Sequence, residues 1–141
     1  MATKADFTED EWATLWKGVT GAGMLVSVAD RDFTDSFGEA SALAKAISEE
    51  RVSGASELLR ELAAGHGTGF GLTASPQKVE TETLEALRSG TALLTAKAPD
   101  ELDGYRAFVL DVANAVAEAK GGVKPGETAA IEKITAAVGA G

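Results

Sequence analysis

All three prolines of this 141-residue chain stand where an apolar helical pattern begins. Proline holds φ near the helical value and lacks an N–H that a first turn could not use, so it suits a helix start and little else in a helix. Ser75-Pro76 places a capping serine directly ahead of one start. Ala98-Pro99-Asp100-Glu101 adds acids that the positive end of a helix favours. Lys124-Pro125-Gly126-Glu127 opens a third. A fourth start has no proline but carries a capping box: Thr8 as cap, with Glu11 three residues on. Phe7 and Trp12 flank it at the spacing of a hydrophobic staple.

The stretches between these starts repeat every three to four residues. Trp12, Leu15, Trp16, Val19, Gly23 and Val26 predict the first helix. Gly18, Gly21 and Gly23 lie within it, each costing roughly 1 kcal/mol relative to alanine. Two explanations fit them: close approach of another helix, or a kink near Gly21. A second helix is expected after Thr34 or Ser36, with Phe37, Ala40, Leu43, Ala44 and Ile47 as its buried stripe. After a break at Arg51 to Gly54, Ser53 is the expected cap of a short helix bearing Leu58, Leu59 and Leu62. The segment from Gly65 to Gly71 is the least helical. The next helix runs toward Lys97, with Val79, Leu84, Leu87 and Leu94 inward. Leu102, Tyr105, Val109, Val112 and Val116 mark another, which Gly121-Gly122 ends. Ile131, Ile134 and Val138 face inward on the last. No segment alternates with period two for long enough to make a strand. The expectation is one all-α domain over residues 1–141, a bundle of about six or seven helices.

Composition narrows the function classes. There are 22 acidic and 13 basic side chains, a net charge of -9, one histidine and no cysteine. No disulfide, thiolate metal site or cysteine nucleophile can be built. Nucleic-acid binding needs a basic face that this balance does not supply. The uncharged stretch Gly18 to Ala29 has 12 residues and is too short to span a bilayer. The first twelve residues hold three consecutive acids and no apolar core, unlike a signal peptide, so the expected location is cytoplasmic.

Two stretches share a pattern: Val26 to Ile47 and Ala115 to Ile134. Each joins the end of an apolar helix to a short loop, one apolar loop residue (Phe33 or Val123), a cap, and a glutamate just inside the next helix (Glu39 or Glu127). A duplicated helix-loop-helix is one explanation; two ordinary hairpins sharing cap chemistry is the other. The pattern resembles that of the TerB-like domains of tellurite resistance, in which alanine-aspartate-glycine, an apolar residue, serine or proline, and glutamate occur twice. The resemblance covers Ala29-Asp30 through Glu39 and Ala119 through Glu127, and covers the middle, from about Arg51 to Lys97, poorly. It implies an all-helical domain of pseudo-twofold layout, a stress-response role, and a divalent cation held by acidic loop residues. Arg31 replaces the family's glycine, and Lys120-Gly121-Gly122 stands where the second aspartate belongs, leaving Glu127 alone in that half. The chain is also similar to a family of small helical actinobacterial proteins, which supplies no chemistry.

Asp30, Asp32, Asp35 and Glu39 form the densest acidic group outside a plain helix start, and Glu127 is their counterpart in the second repeat. Clustered carboxylate oxygens suit a hard cation such as Ca2+ or Mg2+. The spacing is not that of an EF-hand: counted from Asp30, the sixth position is Asp35 rather than glycine, and the twelfth is Ser41 rather than glutamate. The competing reading is solvation together with the helix dipole at a first turn. His66, in the glycine-rich segment, is a solvated loop residue on the simplest reading, since one histidine without cysteine builds no zinc site. Gly65 to Gly71 lacks the preceding strand that a dinucleotide fingerprint needs. Trp12 and Trp16, at i and i+4, read either as core or as an aromatic anchor for a partner.

The expected function is a non-enzymatic binding or scaffold protein of TerB-like, stress-response type, with no catalytic residues and no cofactor beyond a possible Ca2+ or Mg2+. One alternative is a metal-dependent hydrolase using the same carboxylates with His66. Another is a protein-interaction module without metal, pairing with a protein partner or a second copy.

Overall fold

The first long helix starts where the capping box puts it. Thr8 Oγ1 accepts from the Glu11 amide at 3.1 Å, and the Glu11 carboxylate accepts from the Thr8 amide at 2.8 Å. Phe7 and Trp12 close the staple with ring centroids 5.9 Å apart. The computed structural model describes residues 3–29, 36–54, 56–65, 75–119 and 125–139; the side chains of 28–29, 36–41, 76 and 125–127 lie outside the description. Its helices are α1 (Glu9–Ala29), α2 (Ser36–Ser53), α3 (Glu57–Leu62), α4 (Pro76–Lys97), α5 (Leu102–Ala119) and α6 (Pro125–Ala137). Short 3-10 turns, Lys4–Asp6 and Pro99–Glu101, precede α1 and α5. No strand occurs among the described residues, so the chain is all-α, as its periodicity predicts. Each proline opens an element: Pro76 begins α4, Pro99 the turn leading into α5, and Pro125 begins α6. Ser75 Oγ accepts from the Lys78 amide at 3.1 Å, satisfying one of the orphan donors of α4.

α1 touches every other helix and packs most extensively on α4 and α5. Its inward face carries Leu15, Val19, Ala22, Leu25 and Val26, all buried. Against it lie Leu87 and Leu94 of α4, Phe108, Val109 and Val112 of α5, and Ile134 of α6, in one continuous core. α2 lies mainly on α5.

The glycines of α1 are there for close approach. A Cβ on Gly18 would run into the hydroxyl of Tyr105 on α5, one on Gly21 into the Thr83 side chain on α4, and one on Gly23 would sit 2.7 Å from Leu43 Cδ1 on α2. Three different helices therefore press on α1 at three successive positions, and α1 runs unbroken past all of them. Tyr105 is fully buried and donates from its hydroxyl to the Leu15 carbonyl at 2.7 Å. Burial pushes its phenol pKa far up, so it remains a neutral donor. Thr83 is also fully buried, and its Oγ1 has no hydrogen-bond partner among the described residues.

Polar side chains tie the helix ends. Arg60 donates to the Gly54 carbonyl at 2.9 Å, just past α2. Arg106 of α5 donates from Nε to the Val138 carbonyl at 2.7 Å, holding the end of α6. Lys97, the last residue of α4, reaches Glu11 at 2.6 Å and the Asp6 carbonyl at 3.2 Å. Lys17 of α1 pairs with Glu82 of α4, and Lys133 of α6 with Glu80 of α4.

Two local expectations are corrected. Ser56, not Ser53, caps α3: its Oγ accepts from the Leu59 amide at 3.2 Å and donates to the Glu101 carboxylate at 2.5 Å. Ser53 instead ends α2, its hydroxyl donating back to the Glu49 carbonyl at 2.8 Å. Among the described side chains of α2, Ala44 is exposed while Leu43, Ala46 and Ile47 pack against the core; those of Phe37 and Ala40 lie outside the description. The loops of the repeated pattern, 30–35 and 120–124, lie outside the described residues.

Candidate functional site

The acidic candidates divide by where they fall. Asp30, Asp32 and Asp35 lie outside the described residues, as does His66. The distance that would separate the hydrolase from the binding reading therefore lies outside them too. Glu39 falls in the first turn of α2 and Glu127 in the first turn of α6; their side chains are outside the description. Among the described residues, no three of histidine, cysteine, aspartate and glutamate come together in a way that could hold a metal ion.

What the fold does bring together is aromatic. Both tryptophans of the chain line one cleft of about 1010 Å3, between the N-terminal turn with the start of α1 on one side and the end of α3 on the other. The i, i+4 spacing puts Trp12 and Trp16 on one face of α1. Trp16 forms the floor and is only 9% exposed. Gly65, just beyond α3, lies flat on this indole: a Cβ there would stand 2.9 Å from Trp16 Cδ2. Trp12 is half-buried and forms the wall, tilted 49° to the ring of Phe7. Of the pair, Trp16 packs into the core and Trp12 is half-buried, facing the cleft.

Charge in this corner is organised around the rings. Lys4 places Nζ 5.8 Å from the Trp12 ring centroid, and Lys97 places its own 5.5 Å from that of Phe7. Both are within cation–π range. The cleft lining carries two carboxylates, Glu9 at the start of α1 and Glu61 near the end of α3, against one ammonium, Lys4. Beside the cleft, the hydrogen bond from Lys97, followed by that from the Thr8 amide, holds the Glu11 carboxyl below its usual range. Glu11 therefore stays ionised to lower pH and keeps the first turn of α1 closed.

An aromatic cleft with an acidic rim binds by apolar burial and by attraction of positive charge to ring faces and carboxylates. Sequence reasoning found Phe7, Trp12 and Trp16 but not Lys4, Glu61 or Gly65. Lys4 lies outside any periodic segment. Glu61 and Gly65 join the cleft only because α3 folds back toward the start of α1, which no local pattern encodes.

Comparison with family models, with curated proteins and with solved structures gives no significant match, so the cleft is read from its own chemistry.

Proposed function

We propose that this protein is a non-enzymatic helical binding module that takes its ligand in the cleft between the N-terminal segment and α3. The observation that carries the reading is that both tryptophans, the largest apolar side chains of the chain, converge on this one concavity. A half-buried Trp12 beside a buried Trp16 is the arrangement expected of an aromatic anchor on a rigid floor. The helix carrying them packs against each of the other helices, which favours a preformed site over one that folds on binding. The TerB-like sequence pattern is consistent with a helical binding role and adds the expectation of a stress-response setting.

The test is a two-dimensional amide spectrum read at the two indole N–H signals, with cationic, anionic and neutral small probes each added to millimolar concentration. The reading expects at least one class to shift the Trp12 indole saturably. No shift from any class would contradict it.

A further inference from the structure

We propose that the cleft selects an organic ammonium ion, a quaternary or methylated amine, on the face of Trp12 that Lys4 now covers. The inference rests on the binding reading above and names the ligand class of the same site.

Three observations point the same way. First, the rings of this corner already hold positive charge, with Lys4 Nζ 5.8 Å from the Trp12 centroid and Lys97 Nζ 5.5 Å from that of Phe7. Tryptophan is the best of the aromatic faces for a cation, and quaternary ammonium recognition is the main functional use of such faces. Secondly, Glu9 and Glu61 line the same cleft and outnumber Lys4. They repel an anion and complement a cation, and the chain's net charge of -9 raises the local concentration of cations around it. Thirdly, Lys4 is exposed and belongs to a three-residue 3-10 turn at the start of the described chain. Its ammonium is a compact, strongly hydrated charge on a flexible stem. A methylated ammonium sheds water more readily, so the ring gains more from it than from Lys4. Lys4 is then an internal competitor, occupying the position that the ligand takes over.

A purely apolar ligand would use the same walls and also displace the Lys4 side chain, but would be indifferent to the charges of Lys4, Glu9 and Glu61. The charge is therefore the discriminating variable.

The experiment titrates the full chain with choline and with its uncharged isostere 3,3-dimethyl-1-butanol, following tryptophan fluorescence, which reports the cleft because both tryptophans line it. The expected result is saturable binding of choline, at least about fivefold tighter than the isostere, the discrimination one cation–π contact supplies. Lys4→Ala should tighten choline more than the isostere, because it uncovers the Trp12 ring for both but removes charge repulsion for choline alone. Glu61→Gln should weaken choline alone. Trp12→Ala should abolish binding. Lys4 and Glu61 are surface positions outside the core, so those two variants decide the matter even if Trp12→Ala perturbs the first turn of α1. Equal binding of both probes, or no response of choline to Lys4→Ala and Glu61→Gln, overturns the ammonium inference and leaves the binding cleft standing. Absence of any response to either probe overturns the inference and, if the anionic probes of the preceding section also fail, the cleft itself.

Discussion

Gly21→Ala probes a close crossing of α1 and α4. A Cβ at Gly21 would overlap Thr83 Oγ1 and stand 3.0 Å from both Cβ and Cγ2 of the same residue. Thr83 is fully buried, so its side chain has no solvent to swing into. The α1 and α4 backbones must separate or the threonine must leave its rotamer, at a cost of about 1–3 kcal/mol for overpacking. Against this, alanine gains roughly 1 kcal/mol over glycine in a helix interior. The difference is about 0–2 kcal/mol of destabilisation, and overlap with a fully buried side chain places Gly21→Ala toward the upper end. Thr83→Ala removes two of the three obstructing atoms and also deletes a buried hydroxyl that has no partner among the described residues. Alone, it should be close to neutral, since the lost methyl and the relieved hydroxyl offset each other. In the double variant the two changes should couple favourably by about 1 kcal/mol, as residues in direct contact do. Urea unfolding followed by tryptophan fluorescence measures all four corners of this cycle. Gly21→Ala as stable as the parent, or strict additivity of the pair, would refute the claim that α1 needs glycine there for close approach.

Tyr105→Phe deletes the hydroxyl donated to the Leu15 carbonyl and should cost about 1 kcal/mol in the same assay, with no change in cooperativity. The Lys17 hydrogen bond holds the Glu82 carboxyl below its ordinary 4.5, and Lys97 does the same for Glu11. Both groups stabilise the fold above the ordinary carboxylate pKa, and that stability is lost as pH falls through the depressed values. Lys17→Met and Lys97→Met should each flatten the acid limb of a Tm-against-pH curve below pH 4.5. Glu50 has the opposite sign: burial, with Asp111 adding to it, raises its pKa, so its charge opposes folding once pH rises past the ordinary value. Glu50→Gln should therefore raise Tm at neutral pH and lose that advantage in acid. If Asp30, Asp32, Asp35, Glu39 and Glu127 hold a cation, millimolar Ca2+ or Mg2+ raises Tm by mass action; an unchanged Tm removes that reading.

Local chemistry made the helix starts legible. Thr8 and Glu11 satisfy each other's neighbouring amides within one turn, and Pro76, Pro99 and Pro125 fit nowhere in these helices but at the start. Legibility fell where two residues offered the same local chemistry. Ser53 and Ser56 lie three residues apart and either could cap; Ser53 is still inside α2, and Ser56 also donates to Glu101, far along the chain. The periodicity of α2 does not predict the exposure of Ala44, because the helix has few large apolar residues to fix its inward face. The glycines of α1 were visible as an anomaly, but their separate partners Tyr105, Thr83 and Leu43 come from three other helices. The cleft was half legible: spacing put Trp12 and Trp16 on one face, while only the packing of α3 supplied Glu61 and Gly65.

The most direct test of the binding site is a measurement of intermolecular nuclear Overhauser effects between choline and the protein. The account predicts contacts from the N-methyl protons to the ring protons of Trp12, together with loss of the contacts between the Lys4 side chain and that ring. N-methyl contacts confined to another surface, with Lys4 still seated on Trp12, would contradict it.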